Sequence, residues 1–306
     1  MNRERKFCMA KQQWDEIELG GQDRQRPDIR LIVADMDGTL LDGDSNIPSS
    51  FWPMLARLEQ RGIAFVPASG RQFQTLEDMF GRGAADGVDR SDSLSLIAEN
   101  GNVVSYHGDI IDVKGIDFNF ARRIIDIVDK ASNPANSPYF NIGLVICGLQ
   151  SAYVQRTDQE FLDECAKYYH ALRIVDDLHE VLEDDSETIL KLAIFDFTDA
   201  ESMAHALFTD LPDQYVAQVS AKHWVDIMRA DTDKRTGVEA IQRAMHITAD
   251  QTMAFGDYLN DLGILESATW SFAMANGHNQ VKQTAHYLAP ANTEEGVMKV
   301  VDRLVA

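Results

Sequence analysis

The sequence predicts an α/β protein in which a doubly wound parallel sheet carries an inserted α+β domain. Three apolar runs, Ile29–Ala34, Ile63–Ala68 and Thr252–Phe255, have the length of strands, and each ends in a polar cluster. Helix-like segments alternate with these runs, as is typical of a parallel sheet with helices on both faces. Between the second and third runs, strand-like segments follow one another without helices, which favours antiparallel pairing and hence an insert.

The elements follow in order from the N-terminus. Residues 1–28 are polar and rich in Gln and Arg, and we expect a flexible or loosely docked extension there. The first part of the core is predicted over residues 29–112. Besides the first two apolar runs, it contains helix-like segments at Phe51–Gln60 and Gln72–Phe80 and a strand at Leu94–Ala98.

The insert is predicted over residues 113–220. A helical pattern from Phe118 to Val128 opens it. Further strands and helices are expected at Leu144–Cys147, Ala152–Gln155, Asp158–His170, Ile189–Phe195, Glu201–Phe208, Tyr215–Val219 and, just beyond it, Trp224–Met228. The second part of the core is predicted over residues 221–306, with an amphipathic helix that opens near Lys234.

Composition excludes several classes of function. The 306 residues suffice for about two domains. A net charge of −21 argues against a surface that binds nucleic acid or an anionic membrane, because phosphates require a basic footprint. The three cysteines are far apart, so neither a disulfide framework nor a zinc site is indicated. No apolar run approaches the ~18 residues of a membrane helix. We therefore expect a cytoplasmic protein.

Asp35 and Asp37 stand two residues apart where the first apolar run ends. Two carboxylates in this position can share a hard cation through oxygen ligands. They can also divide the work of a nucleophile and a general acid/base. Such a pair alone is common in surface loops. The strand before it and the segment Gly38-Thr39-Leu40 after it favour the functional interpretation.

Further polar residues follow the other two runs. Asp257 follows the third run, where a carboxylate beside Asp35 would complete a magnesium site together with water and a phosphate oxygen. Asp261, four residues on, fits the structural alternative of a helix N-cap. Ser69 and Gly70 follow the second run, and their hydroxyl and amide can hold a phosphate or form a simple turn.

Lys234 stands at a predicted helix start, where the helix dipole favours an acid rather than a base. An ordinary solvated lysine is the structural alternative. The position of its helix at the same end of the sheet favours a functional role.

Taken in order, these segments resemble the four motifs of the haloacid dehalogenase superfamily: Asp35-Met36-Asp37-Gly38-Thr39-Leu40, Ser69-Gly70-Arg71, Lys234, and Gly256-Asp257-Tyr258-Leu259-Asn260-Asp261. The Asn100-Gly101 turn, the insert and the stretch Met274–Val297 are similar to the Cof-type subfamily. Its members carry a C2B-type cap on a Rossmann-like core. The resemblance covers about residues 29–304.

The resemblance implies a Mg²⁺-dependent phosphatase that works through an aspartyl-phosphate. Asp35 would attack phosphorus, and Asp37 would act as general acid and base. The ligands of Mg²⁺ would be Asp35, Asp257 and the backbone carbonyl of Asp37. The phosphoryl group would be held by Ser69, the amides of Gly70 and Met36, Lys234 and Asn260, with supporting roles for Thr39, Arg71, Asn100 and Asp261. The chain departs from the family pattern at Arg235, where glycine is usual, and at Met274-Ala275-Asn276-Gly277.

The expected substrate is a small phosphorylated metabolite of the sugar-phosphate class, because the cap that the resemblance implies would exclude macromolecules from the site. A phosphomutase of the phosphomannomutase type is the alternative, since it shares the core. It would need a cationic cap pocket, for which the candidates are Arg122, Arg123, Arg156 and Arg173. A receiver-type signalling domain is disfavoured by Asp37 and by the large insert. The oligomeric state is left open.

Overall fold

The computed structural model describes residues 11–17, 27–82 and 84–305, which divide into two compact units. The first unit comprises the described residues up to Ala68 and those from Lys234 onward, and the second comprises Ser69–Asp233.

The described residues form fifteen strands: β1 (Gln12–Gln13), β2 (Leu31–Asp35), β3 (Ala64–Ala68), β4 (Leu96–Ala98), β5 (Val103–Tyr106), β6 (Asp109–Val113), β7 (Ile142–Gly148), β8 (Ala152–Val154), β9 (Leu172–Ile174), β10 (Ile189–Asp196), β11 (Tyr215–Ala221), β12 (Trp224–Arg229), β13 (Thr252–Gly256), β14 (Trp270–Met274) and β15 (Tyr287–Ala289). The α-helices among them are α1 (Phe51–Gln60), α2 (Phe73–Phe80), α3 (Phe118–Ala131), α4 (Gln159–Ala166), α5 (Ala200–Leu207), α6 (Lys234–Met245), α7 (Leu262–Glu266), α8 (Asn279–Thr284) and α9 (Gly296–Val305).

The first unit is built on parallel strands in the order β1-β15-β14-β13-β2-β3. Strands β2 and β13 are buried along their whole length, as expected for a parallel sheet that is covered on both faces. Asp35, the last residue of β2, pairs with Ala68, the last residue of β3. The carboxyl ends of β2, β3 and β13 therefore lie at one edge, where parallel sheets bind ligands.

The second unit contains two antiparallel arrangements. Strands β4, β5 and β6 form a meander. A larger sheet has the order β11-β12-β10-β7-β8-β9 and is antiparallel except for the β8–β9 pair. Along β7, Leu144 and Ile146 pack with the residues of α3 and α5, whereas Val145 and Cys147 pack on the opposite face with those of α4. This alternation follows from the two-residue repeat of a strand.

The predicted fold class is confirmed: a parallel-sheet α/β core and an α+β region are both present. Most of the predicted elements differ from the observed ones by one to three residues at an end. The helix predicted at Asp158–His170 instead ends at Ala166, because Tyr169 is drawn into the core beside Cys147. No helix in the described ranges is both long and apolar enough to cross a membrane.

The second compact unit begins at Ser69, whereas the sequence pattern changes only near residue 113. Side chains of the segment before residue 113 account for this difference. Gln72 donates to the carbonyl of Ala171 at 2.9 Å, and Gln74 donates to that of Leu149 at 2.6 Å. Residues 69–112, which were predicted as core, are therefore hydrogen-bonded to the insert. The domain limits 113–220 stay a prediction.

Part of the predicted N-terminal extension is docked. Gln12 and Gln13 form β1 and pair with Tyr287 and Leu288 of β15. The ammonium of Lys11 donates to the carbonyl of Ala285 at 2.6 Å. These contacts cover an otherwise open sheet edge, a common protection against unwanted pairing. The predicted flexibility of residues 1–10 and 18–26 lies outside the described residues.

The N-terminus of α3, the first helix of the insert, offers a test of helix capping by Asp117. Asp117 caps α3, and its Oδ1 accepts from the amides of Asn119 and Phe120 at 3.0 and 3.1 Å. We expect Asp117→Ala to lower the free energy of unfolding by about 1 kcal/mol, because two amides lose their acceptor. Urea unfolding measures this change. Asn119→Ala, at an exposed position on the same turn, is the control and should change stability by less than about 0.5 kcal/mol. Equal effects would contradict the cap.

Candidate active site

The turn after β2 is shaped by Gly38. Its φ of +82° is left-handed, and a Cβ there would lie 2.5 Å from Oδ2 of Asp257. Glycine is therefore required both by the backbone conformation and by the close approach of a carboxylate. The next residue, Thr39, is buried and donates its hydroxyl to Oδ1 of Asp257 at 2.9 Å. The turn thus connects the ends of β2 and β13.

Lys234, the first residue of α6, forms the centre of a buried ion network. It is 1% exposed, and its Nζ donates to Oδ1 of Asp35 and, at 2.7 Å, to Oδ1 of Asp261. Burial opposes the ammonium, yet Asp261 and Asp35 outweigh this effect and raise the pKa of Lys234 above its ordinary value. These carboxylates therefore favour the charged form of the lysine beside Asp35.

Asp261 does not act as the N-cap suggested by the sequence, since its side chain makes no capping hydrogen bond to α7. Instead, its Oδ2 accepts from the amides of Asp257 and Tyr258 at 3.0 and 3.1 Å, while Oδ1 accepts from Lys234. Both oxygens are thus used to fix the backbone that carries Asp257 and to orient the lysine.

The acidic cluster at this edge fits a divalent cation. Carboxylate oxygens of Asp35, Asp257 and Asp261 all lie within 4.8 Å of one another. Burial and the charge of Asp261 raise the pKa of Asp35, and burial raises that of Asp257. One ammonium does not balance three carboxylates, and hard oxygen donors suit Mg²⁺. Because Asp261 is engaged elsewhere, Asp35 and Asp257 are the side chains that could hold the ion.

The loop after β14 contributes residues that sequence reasoning missed. Asn276 donates to the carbonyl of Gly38 at 2.8 Å and accepts from the amide of Asn292 at 3.1 Å. The amide of His278 donates to the carbonyl of Asp257 at 2.7 Å, and a Cβ on Gly277 would lie 2.9 Å from that same carbonyl. This loop therefore positions both the Gly38 turn and Asp257. The only signal in the sequence was the departure from the family pattern at Met274–Gly277.

The predicted residues of the second motif converge within the second unit. The hydroxyl of Ser69 accepts from the amide of Arg71 at 3.2 Å, and the carbonyl of Ser69 accepts from the amide of Asn100 at 2.9 Å. A Cβ on Gly70 would lie 2.9 Å from Nδ2 of Asn100. Residues 69–71 thus form a turn that packs against Asn100. We call it the Ser69–Arg71 turn.

The structure therefore brings the predicted site residues together in two groups. Within the first unit, one group converges on Lys234: Asp35, Thr39, Asp257 and Asp261. Within the second unit, the other group surrounds Ser69. Asp37 and Asn260 are exposed, whereas Met36, the residue after Asp35, is buried.

Comparison with known proteins agrees with this architecture. Residues 32–301 match the model of a haloacid dehalogenase-like hydrolase family. The chain belongs to this family, and its resemblance to the Cof-type phosphatases is confirmed. It is an enzyme of the phosphatase class.

Individual relatives and structures extend the comparison. The chain is 28% identical over 282 residues to the 5-amino-6-(5-phospho-D-ribitylamino)uracil phosphatase YbjI of Escherichia coli, covering 90% of this chain and 96% of the relative. It is 23% identical to a phosphatase of the same name in Bacillus subtilis, YcsE, with 91% and 96% covered. The structure of TM0651 from Thermotoga maritima superposes with a TM-score of 0.78 at 22% identity, covering 91% of this chain and 98% of that one. A subclass IIB sugar phosphatase superposes with a TM-score of 0.68 at 18% identity, covering 90% and 98%.

The double role of Asp261 makes a testable prediction. Asp261→Asn replaces one acceptor oxygen by a nitrogen that cannot accept, so either Lys234 or the two amides lose a partner. We expect the free energy of unfolding to fall by about 3 kcal/mol, as when one partner of a buried ion pair is removed. Denaturant unfolding measures this loss. Glu266→Gln, which breaks an exposed pair with Arg235 in the same unit, is the control and should cost less than about 1 kcal/mol. A neutral Asp261→Asn would contradict the network.

Proposed function

We propose that this enzyme is a Mg²⁺-dependent phosphatase that hydrolyses a small phosphorylated metabolite, of the sugar-phosphate class, through an aspartyl-phosphate. The observation that carries the proposal is the buried cluster at the end of β2, in which Asp35 contacts Lys234 and lies beside Asp257. A nucleophilic carboxylate, a fixed cation and a second carboxylate for a metal are the parts that phosphoryl transfer to an aspartate requires.

The proposed reaction has two halves. Because Nζ of Lys234 contacts Oδ1 of Asp35, we assign Oδ2 as the nucleophile. It attacks phosphorus, the bond from phosphorus to the substrate oxygen breaks, and Asp37 gives its proton to the departing alkoxide. Water then attacks the phosphorus of the aspartyl-phosphate, Asp37 takes a proton from that water, and inorganic phosphate leaves with Asp35 regenerated. The exposed side chain of Asp37 suits exchange of protons with the substrate and solvent.

The side chains of Asp35 and Asp257 and the backbone carbonyl of Asp37 would hold Mg²⁺. When bound, the ion supplies positive charge that offsets the repulsion between a carboxylate and a phosphate dianion. Thr39 keeps the carboxylate of Asp257 in place, and Asp261 holds its amide. These hydrogen bonds would hold the carboxylate of Asp257 in place for the ion.

The proposed phosphate ligands come from the ends of three strands and from the start of α6. Lys234 is already held beside Asp35, and Asn260 and the amide of Met36 belong to the turns after β13 and β2. Ser69 and the amide of Gly70 follow Ala68, whose backbone pairs with Asp35. Cations and amides act best on the equatorial oxygens, where charge develops in the transition state.

The substrate class is supported by what the similar proteins are called. YbjI and YcsE are named as phosphatases of a phosphoribitylamino-uracil, a sugar-alcohol phosphate joined to a pyrimidine, and a similar fold belongs to a sugar phosphatase. We propose a substrate of this kind for the present chain. The net charge of −21 repels an anionic substrate at long range. Cationic ligands in the site would therefore have to attract the substrate locally. A cytoplasmic location stays a prediction.

The phosphomutase alternative lacks a specific observation in its favour. Arg156 is ion-paired with Asp158 and lies 4.7 Å from the ring centroid of Phe197. Arg123 donates to the carbonyl of Asp210 at 3.2 Å. These two arginines are therefore engaged within the insert, and we do not propose a second phosphate pocket from them.

Release of inorganic phosphate from a panel of small phosphorylated metabolites tests the reaction. We expect release with Mg²⁺ and none with EDTA, with sugar and sugar-alcohol phosphates ranked first. Asp35→Asn should reduce release by at least about 10³-fold, because the nucleophile is lost. The surface variant Glu266→Gln is the control. Release that survives Asp35→Asn would contradict the mechanism, and transfer between hydroxyls of a hexose phosphate without release would favour the mutase.

Metal binding can be tested without activity. We expect Mg²⁺ to raise the melting temperature of the wild-type protein, because an ion that binds only the folded state stabilises it. Asp257→Asn should abolish the increase, since one carboxylate ligand is removed. An exposed substitution, Asp250→Asn, should leave the increase unchanged. An equal increase in wild type and Asp257→Asn would place the ion elsewhere.

A further inference from the structure

A second buried lysine stands in the second unit, on a strand that no sequence motif identifies. Lys191 lies on β10 and is 5% exposed. Its Nζ lies 3.0 Å from Oε2 of Glu99 and 3.7 Å from Oδ2 of Asp226, and it donates to the carbonyl of Gly70 at 3.4 Å. One ammonium on β10 therefore contacts both the Ser69–Arg71 turn and the turn Glu99–Gly101, which we call the Glu99 turn.

The lysine occupies its position for a structural reason. On β10, Leu192 and Ile194 face the core formed with α3, whereas Lys191 shares the opposite face with Ala193. Burial disfavours its charge, but Asp226 and Glu99 outweigh this effect and raise its pKa above the ordinary value. A buried charge is tolerated only when it is paired, so the lysine and its carboxylates hold one another in fixed positions.

The Glu99 turn is in an unfavourable conformation. Glu99 and Asn100 have left-handed φ angles of 49° and 55°, and Gly101 follows at 97°. Such residues persist when the surroundings hold them, and they cluster at functional sites. Here the amide of Glu99 donates to the carbonyl of Arg71 at 3.1 Å, and the ion pair to Lys191 holds the side chain. The Glu99 turn is thus held by one backbone hydrogen bond and one ion pair.

We propose that Lys191 is a positioning residue for phosphate binding: it fixes the Ser69–Arg71 turn through the carbonyl of Gly70 and through Glu99. This inference rests on the proposed role of Ser69 and Gly70 as phosphate ligands. The amide of Gly70, which would bind a phosphate oxygen, shares a peptide group with the carbonyl of Ser69, and that carbonyl accepts from the amide of Asn100. The carbonyl of Gly70 itself accepts from Lys191. A residue of the insert therefore sets the geometry of a ligand turn that belongs to the predicted core.

Titration calorimetry with inorganic phosphate, in the presence of Mg²⁺, tests the proposal on the full chain. Lys191→Met should weaken phosphate binding about tenfold or more, because a displaced turn no longer meets the oxygens. Mg²⁺ affinity, measured in the same variant, should stay unchanged, since its proposed ligands lie in the first unit. Lys114→Met changes a partly exposed lysine of the second unit that pairs with Asp112; it is the control and should bind phosphate as wild type does.

Lys191→Met leaves buried carboxylates without a cation and can fail to fold. The triple variant Lys191→Met/Glu99→Gln/Asp226→Asn removes both uncompensated carboxylates. Glu99→Gln alone keeps the lysine while removing its ion pair with the turn. Both should fold and bind phosphate more weakly. In them, the amides of Gly70 and Arg71 should exchange hydrogen faster than in wild type.

The outcomes separate this inference from the proposed function. If wild type does not bind phosphate, or if Ser69→Ala binds it equally well, the assigned role of the turn is wrong. If Ser69→Ala weakens binding but the folded lysine and glutamate variants bind as wild type does, the positioning role of Lys191 is overturned.

Discussion

The ion pair between Lys234 and Asp35 is the interaction on which the remaining parts of the site depend. The lysine begins a helix, where the dipole disfavours a cation, and it is almost fully buried. Both penalties are offset only because the carboxylates of Asp35 and Asp261 lie within contact of its ammonium. The same carboxylates, with Asp257, exceed the charge that one lysine can balance. The cluster thus holds more carboxylates than cations, and a divalent ion bound there would offset the excess negative charge.

The parallel sheet explains why residues so far apart in sequence meet. Lys234 and Asp35 are 199 residues apart. Asp35 ends β2, which pairs with β13, and Lys234 begins α6, the helix that precedes β13. Gly38 lets the turn after β2 approach Asp257, and Asp261 then fixes the backbone of Asp257 and the ammonium of Lys234 together. Each restraint involves a different element. The site is therefore a property of the strand ends and not of any one loop.

Much of this arrangement could be predicted from the sequence, because apolar runs that end in polar residues locate the ends of strands. Asp35, Ser69 and Asp257 were found in this way. Asn276 and Lys191 could not be found, because what they do depends on contacts 238 and 92 to 121 residues away. A local pattern also suggested that Asp261 caps a helix, but tertiary contacts to Lys234 and two amides take both of its oxygens. Strands β14 and β15, which extend the parallel sheet beside β13, were not predicted from the sequence.

The central claim is that Asp35 carries the phosphoryl group. Rapid quenching of Asp37→Asn during turnover of an aryl phosphate, followed by mass measurement of the intact protein and its peptides, tests this claim directly. An aryl oxide leaves without a proton from Asp37, so the variant slows mainly the hydrolysis of the aspartyl-phosphate and the intermediate should accumulate. We predict one added phosphoryl group, located on the peptide that contains Asp35 and absent from Asp35→Asn/Asp37→Asn. A phosphoryl group on another residue, or turnover with no phosphorylated protein at any time, would contradict the account.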